Sequence, residues 1–300
     1  MHGKHEILPS FQHIKIEGRL DMQKSAECGQ AFRWRRKGDY YSCVIGGHLL
    51  SVRREGDGID FTVGPGLSRA EGRRLITSYL RLDDDFSGIM RSISRDRIIG
   101  EALKRNIGLR LFRQDPWECL VSYLLSINSN IPRLSRDVER IAAAFGRRKE
   151  WRGELFYTFP DVEALSEVTE QDLRKMGIGF RARYISETAR LVKDGGIDIS
   201  SLRRMGYEDG RETLLSLPGI GPKVADCILL FSLDKLEAFP VDRWVRRCVE
   251  DLYFGGAHMT ERRIREWAGE YFGAYAGYAQ QLLFHTYRTR QLSICRSGVA

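Results

Sequence analysis

The chain has 300 residues, 42% of them hydrophobic, with a net charge of +8 and a pI near 9.2. That length accommodates two domains with a common interface, and no apolar run is long enough to span a bilayer. The basic balance favours an acidic polymer as partner.

The first residues, MHGKHEILPS, lack the apolar core of a signal peptide. The expected location is intracellular: cytoplasm or nucleoid in a prokaryote, nucleus in a eukaryote. Up to about residue 65 the pattern is strand-like. Tyr40–Ile45 and His48–Val52 are joined across Gly46-Gly47, a hairpin signal, and Ile59–Val63 alternates before ending at Gly64-Pro65-Gly66. From Ser68 the periods turn helical, and beyond about Arg105 the chain reads as helix after helix, with short Gly, Pro or Asp breaks. The last dozen residues are polar and basic and are expected to fray. The predicted fold is α+β. An N-terminal antiparallel β-sheet domain with helices (1–105) precedes a mostly helical domain (106–300).

The most informative stretch runs from Leu217 to Asp242, LPGIGPKVADCILLFSLDKLEAFPVD. Gly219 and Gly221, one residue apart, are expected to take the φ > 0 conformations of a tight helix-to-helix turn. Pro222 pre-sets φ for the next helix, and Val224, Ile228 and Phe231 form its apolar stripe. Backbone N–H groups at such a turn are free to hold a phosphate. The segment resembles the helix-hairpin-helix element, which grips the DNA backbone without reading sequence. By itself such a hairpin serves clamps as well as enzymes.

Lys223 sits in the first turn of that helix, where the dipole disfavours an added positive charge. A lysine that loses its proton easily suits a Schiff-base nucleophile; the alternative is a solvated lysine or one touching phosphate. Asp242 follows Pro240 and Val241 and precedes a second stripe, Val245, Val249 and Leu252. It reads as an N-cap, and capping bonds also hold a carboxylate ionised and fixed in direction. Hairpin, lysine and the Pro-Val-Asp triplet together resemble the helix-hairpin-helix DNA glycosylase superfamily, in which that lysine–aspartate pair is the catalytic centre.

Six cysteines (Cys28, Cys43, Cys119, Cys227, Cys248 and Cys295) stand singly with no CxxC. That argues against a zinc site, a disulfide framework and the four-cysteine loop of some superfamily members, so no iron–sulfur cluster is expected. No metal-ligand set is read from the sequence.

Further segments are similar to the 8-oxoguanine DNA glycosylase/lyase branch. These are Gly29–Trp34, Arg113-Gln114-Asp115-Pro116-Trp117-Glu118-Cys119, Ser126–Arg133, Gly179–Tyr184, and Tyr275–Gln280 leading to Phe284. They run in order from about residue 25 to 290. The resemblance implies an extruded base, with Phe180 filling the vacated stack and Asn128, Arg133 and Arg181 facing the orphaned cytosine. The alternatives are a core aromatic at 180 and surface arginines at 133 and 181. It further implies a lesion pocket. Cys227, one helical turn after Lys223, would rest on one face of the base and Phe284 on the other. Gln280 would reach the Watson–Crick edge, and Pro240 would line the wall beside Asp242. Core packing is the competing explanation for Cys227 and Phe284. Gly29 would offer its carbonyl to the N7–H that distinguishes 8-oxoguanine from guanine, whose N7 is an acceptor; a plain turn glycine is the alternative. The hairpin at Gly219 and Gly221 would fix the backbone, with a structural cation on its carbonyls and no organic or redox cofactor.

Two positions depart from the family pattern. Trp244 stands where a phosphate-holding histidine is common, and Ser129 interrupts an asparagine run. The expected activity is excision of 8-oxoguanine opposite cytosine, then strand cleavage through a Lys223 Schiff base. The expected partner is double-stranded DNA containing oxidised guanine, bound by a monomer without membrane association. The rivals are a glycosylase for alkylated purines and a non-catalytic DNA clamp.

Overall fold

Apolar alternation on either side of the Gly46-Gly47 turn builds the first element of the fold. In the computed structural model, which describes residues 11–289, Tyr40–Ile45 (β3) and His48–Glu55 (β4) pair antiparallel with Ile45 opposite His48. Residues 1–10, nearly all of the polar tail and Cys295 lie outside the described residues. Gly58–Val63 (β5) adds to β4, Gln12–Lys15 (β1) to β5, and Arg35–Lys37 (β2) to β3. The result is an antiparallel sheet in the order β1-β5-β4-β3-β2. The strand-like reading of the first 65 residues needs one correction. Met22–Glu27 (here α1) is a helix, because Asp21 accepts the Lys24 N–H and caps it.

Ser68 and Glu71 form a reciprocal capping box that starts Arg69–Tyr79 (α2). Phe86–Ile93 (α3) and Arg97–Arg105 (α4) follow, capped by Asp85 and Asp96. Then come Pro116–Leu125 (α5) and Ile131–Phe145 (α6). The expectation of helix after helix fails next. Arg148–Trp151 (β6) and Glu154–Tyr157 (β7) form a two-stranded hairpin. Strands of four residues carrying several charges give no usable period. What stabilises them is tertiary: Phe156 and Trp151 pack on Val44 and Leu49 of the sheet, and Trp151 Nε1 donates to Ser51 Oγ at 3.2 Å.

The remaining helices are Val162–Ser166 (α7), Glu170–Lys175 (α8), Arg181–Lys193 (α9), Ile199–Leu202 (α10), Tyr207–Leu215 (α11), Pro222–Ser232 (α12), Arg243–Tyr253 (α13) and Glu261–Phe272 (α14). A single 3₁₀ turn, Gly273–Tyr275, leads into Ala276–Arg288 (α15). No helix among the described residues is long and apolar enough to cross a membrane. Two main apolar cores exchange residues. Phe112 packs under the sheet, whereas Cys28 and Phe32, together with Ile89 and Ile93 of α3 and Ile99 and Ala102 of α4, belong to the helical core. Arg33 crosses the same junction with its side chain 4% exposed, bonding Glu118 of α5, Glu139 of α6 and the Tyr157 carbonyl. Removing one partner from a buried pair of this kind costs about 3–5 kcal/mol.

The hairpin between α11 and α12 departs from expectation at one residue. Gly219 takes φ +79°, but Gly221 has φ −94° and ψ 176°, an extended N-cap any residue adopts. The turn needs one left-handed residue because Pro222 already fixes the helix entrance. A side chain at 219 would also overlap the Tyr184 ring of α9, while one at 221 would meet open space. Helix α12 is buried nearly all round. At its centre the Asp226 carboxylate accepts from Tyr207 Oη at 2.9 Å and Arg211 Nε at 3.0 Å, both on α11, and lies 3.9 Å from Arg265 of α14.

Gly219→Ala should therefore destabilise the fold by about 1–3 kcal/mol in urea denaturation, whereas Gly221→Ala should stay within about 1 kcal/mol of the parent. Equal losses would contradict the asymmetry of the turn. Burial pushes the Asp226 carboxyl up from 3.8 to about 6, against the pull of Arg211 and Arg265. The folded state then binds this proton more tightly than the unfolded chain. Its contribution is greatest below the ordinary carboxyl value and is lost as pH rises through about 6. Asp226→Asn should therefore gain on the parent between about pH 4 and 7, by up to about 3 kcal/mol. Urea titrations at the two pH values measure this gap, and a pH-independent difference would refute it.

Candidate active site and nucleic-acid interface

Most helices of the molecule begin with a side chain closing their first turn, including Asp115 on α5, Asn130 on α6 and Asp242 on α13. Helices α9, α11, α12 and α15 begin at Phe180, Gly206, Gly221 and Tyr275 with no side-chain cap bond. Uncapped N–H groups at a helix start are ready anion ligands, and at α12 the start coincides with the hairpin.

Lys223 and Asp242 line one cleft together with Gly29, Tyr123, Cys227, Phe231, Pro240, Gln280, Gln281 and Phe284. Every residue the sequence assigned to catalysis or to the lesion pocket is thus in the same place. The free space is about 50 Å³, room for one or two waters. Lys223 Nζ donates to Ser126 Oγ at 3.4 Å and lies 5.0 Å from the centre of the Tyr123 ring. Asp242 Oδ1 accepts from the Trp244 and Val245 N–H groups at 2.9 and 2.8 Å, so it is the N-cap the sequence suggests. Such a cap is worth about 1 kcal/mol to α13 and holds the carboxylate in one direction.

The walls are chemically distinct. Cys227 is 4% exposed, and burial pushes its thiol up to about 12, so it stays protonated and acts as an apolar, polarisable surface. Gln280 donates to the Pro240 carbonyl at 3.0 Å, leaving its buried Oε1 without a partner among the described residues. Phe284 is half-buried, with the Arg288 guanidinium 5.3 Å from its ring centre. Gly29 has φ +94°, and a Cβ there would stand 2.7 Å from Ile131.

The residues expected on the DNA side form a second group. Phe180 is 44% exposed, which removes the core-aromatic alternative; its ring meets Tyr184 edge-on at 6.1 Å. Asn128 is exposed and takes φ +50°, while Arg133 is half-exposed and reaches Asp137 at 3.5 Å and the Gly177 carbonyl at 3.4 Å. Arg181 differs from both alternatives considered for it. It is only 2% exposed, and its guanidinium donates to the carbonyls of Ile127 (2.6 Å), Asn128 (3.0 Å) and Ile178 (3.1 Å). It clamps the Asn128 loop onto the turn before Phe180. Ser129 and Trp244, the two departures, flank Asn128 and Asp242 respectively.

Ser126, Tyr123 and Gln281 were not singled out from sequence as site residues. Tyr123 and Gln281 have the composition of ordinary core helices, and only the fold turns them toward Lys223 and Gly29. The spacing of Ser126 three residues after Tyr123 was the available signal, since it puts both on one face of α5. No cluster of His, Cys, Asp or Glu suited to a metal ion occurs among the described residues.

Comparison with known proteins places this geometry in a family. Residues 13–120 match the family model for the N-terminal domain of 8-oxoguanine DNA glycosylase, and residues 121–272 match that for HhH-GPD superfamily base excision DNA repair proteins. The chain is 36% identical over 270 residues to the N-glycosylase/DNA lyase OGG1 of Arabidopsis thaliana, covering 85% of this chain and 74% of that one. It is 32% identical over 321 residues to the N-glycosylase/DNA lyase of Saccharomyces cerevisiae, covering 89% and 85%. Among solved structures, it is similar to the Clostridium acetobutylicum 8-oxoguanine glycosylase/lyase in complex with double-stranded DNA containing cytosine opposite 8-oxoG. That match has a TM-score of 0.87 at 30% identity, over 94% of this chain and 99% of the other. The chain therefore belongs to the HhH-GPD superfamily of base excision DNA repair proteins and carries, ahead of that domain, the N-terminal domain of 8-oxoguanine DNA glycosylase.

Proposed function

We propose that this protein is a bifunctional DNA glycosylase and abasic-site lyase of base excision repair, removing 8-oxoguanine opposite cytosine from duplex DNA. The observation that carries the reading is the meeting of Lys223 and Asp242 in one cleft with Gly29, Cys227, Pro240, Gln280 and Phe284. Family membership and relatives of the same named activity support it.

The chemistry follows from the groups in hand. Lys223, in its unprotonated form, attacks the anomeric carbon as the bond to the base breaks, and the base leaves with the bonding pair. Asp242 carries negative charge toward the sugar as positive charge develops there, which lowers the barrier. Ring opening leaves a protonated Schiff base. The iminium withdraws electrons from the adjacent carbon, whose proton Asp242 accepts, and elimination expels the 3′ phosphate with the carbon–oxygen bonding pair. The unpartnered Gln280 Oε1 supplies an acceptor for the Watson–Crick edge of the extruded base. Cys227 and Phe284 take its two faces. The uncapped α12 start and Gly219 turn hold backbone phosphate, with a structural cation on the hairpin carbonyls as part of the same reading. Phe180 fills the gap, and Asn128 and Arg133 address the orphaned cytosine from a loop that Arg181 holds. The two-domain division near residue 105 and action as a monomer within the cell belong to this proposal too.

Borohydride added to the protein with a duplex carrying 8-oxoguanine opposite cytosine should trap a covalent adduct, and Lys223→Gln should abolish it. Base release without an adduct would mean a monofunctional glycosylase. A Lys223→Gln variant that retains full biological activity would restore the clamp reading. Arg133→Ala should lower excision opposite cytosine relative to excision opposite adenine by about tenfold, measured in single-turnover assays on the two duplexes. An unchanged ratio would remove Arg133 from recognition of the opposite base.

A further inference from the structure

Three consecutive carbonyls, those of Cys28, Gly29 and Gln30, lie within reach of side-chain donors from the helical part of the molecule. Gln281 Nε2 of α15 donates to the Cys28 carbonyl at 3.3 Å. Tyr123 Oη of α5 stands 3.5 Å from the Gly29 carbonyl and 3.3 Å from that of Gln30. Gln114 Nε2 donates to the Gln30 carbonyl at 2.7 Å. All three donors are buried, Tyr123 and Gln281 to 2% exposure, and both of these line the cleft that holds Lys223. The Tyr123 ring is itself fixed, stacked on Phe231 at 5.7 Å with an 11° interplanar angle. Burial raises its phenol well above the ordinary value, so it remains a donor throughout the working pH range.

We propose that Tyr123 and Gln281 are specificity-positioning residues, which set the direction of the Gly29 carbonyl and thereby the preference for a lesion bearing an N7–H. The proposal rests on the reading of Gly29 given above. A carbonyl discriminates a donor from an acceptor only if it cannot turn away from the clash. Gly29, at φ +94° and without a side chain, has no local reason to keep its peptide in one orientation. Neighbouring pins supply that reason. Gln281 fixes the peptide before Gly29, and Tyr123 holds the Gln30 carbonyl, one peptide beyond Gly29's own, while offering a long, weak bond to Gly29 itself. A carbonyl oxygen has two lone pairs, so the Tyr123 hydroxyl leaves one for the lesion. The hydroxyl's single hydrogen favours the nearer Gln30 oxygen, which keeps the Gly29 acceptor available.

The test compares two reactions of the same protein. Excision of 8-oxoguanine uses the Gly29 carbonyl, whereas cleavage at a preformed abasic site has no base to read. Tyr123→Phe keeps the ring and its stacking and removes only the hydroxyl. Gln281→Leu removes the other pin while keeping volume. In each variant the ratio of 8-oxoguanine excision to abasic-site cleavage should fall about five- to tenfold, the worth of one lost hydrogen bond. Competition by undamaged duplex should strengthen in parallel, because a turned carbonyl no longer rejects guanine. Both reactions falling together would mean that these residues only support the fold, and an unchanged ratio would mean that the carbonyl needs no pins; either result overturns the proposal. A parent protein that cleaves abasic DNA but leaves 8-oxoguanine in place would instead overturn the reading of Gly29 on which the proposal stands.

Discussion

The buried Gln30 amide is the interaction on which the rest of the site depends. Its Nε2 donates to the Ser25 and Arg110 carbonyls, both at 2.8 Å, and its Oε1 accepts the Phe112 N–H at 2.7 Å. A fully satisfied amide inside an apolar core fixes geometry strongly, because any slip leaves polar atoms unpaired at a cost of about 1–3 kcal/mol each. Here it zips the segment after α1 onto the chain entering α5. Gln114 returns the bond to the Gln30 carbonyl. Gly29 is carried along, so a residue of the sheet-bearing half forms one wall of a cleft whose reactive groups all come from the helical half.

The loops around Asn128, Phe180 and Gly219 are joined by a different device. Tyr184 of α9 lies against the Gly219 turn on one side and edge-on to Phe180 on the other. One turn earlier, Arg181 clamps the Ile127 and Asn128 carbonyls. Phe180, the Asn128 loop and the Gly219 turn are therefore joined by packing on a single helix. That arrangement suits a protein that must separate a base from its partner, since the cost of unstacking is met by groups that need no reordering on contact.

Within the cleft, chemistry is separated from support. Lys223 and Asp242 are held by a helix start and a helix cap, both first-turn geometries that local sequence sets. Behind them, Asp226 with Tyr207, Arg211 and Arg265 ties α11, α12 and α14 together. Gly277 does the same by absence: a side chain there would overlap Leu230 and crowd the Leu236 and Ala238 carbonyls, so only glycine lets α15 press against α12. That contact brings Gln280 and Phe284 opposite Lys223.

The sequence by itself determined whatever depends on near neighbours. The β3–β4 hairpin, the Ser68 helix start, the Gly219 turn, the first-turn position of Lys223 and the Asp242 cap are decided within a few residues by backbone sterics and short hydrogen bonds. Ordered motif resemblance added the pocket residues and their partners. Long-range terms decided the rest. The β6–β7 hairpin exists because Phe156 and Trp151 find the sheet, and its own pattern was too short and charged to announce it. Gly221 proved extended because Pro222 already constrains the turn. Arg181 went inward because three unpaired carbonyls from two distant loops converge on its fork, which no linear spacing reveals. Tyr123 and Gln281 acquire a role only once α5 and α15 are folded against Gly29, because donor and acceptor there are separated by 94 and 253 positions in the chain.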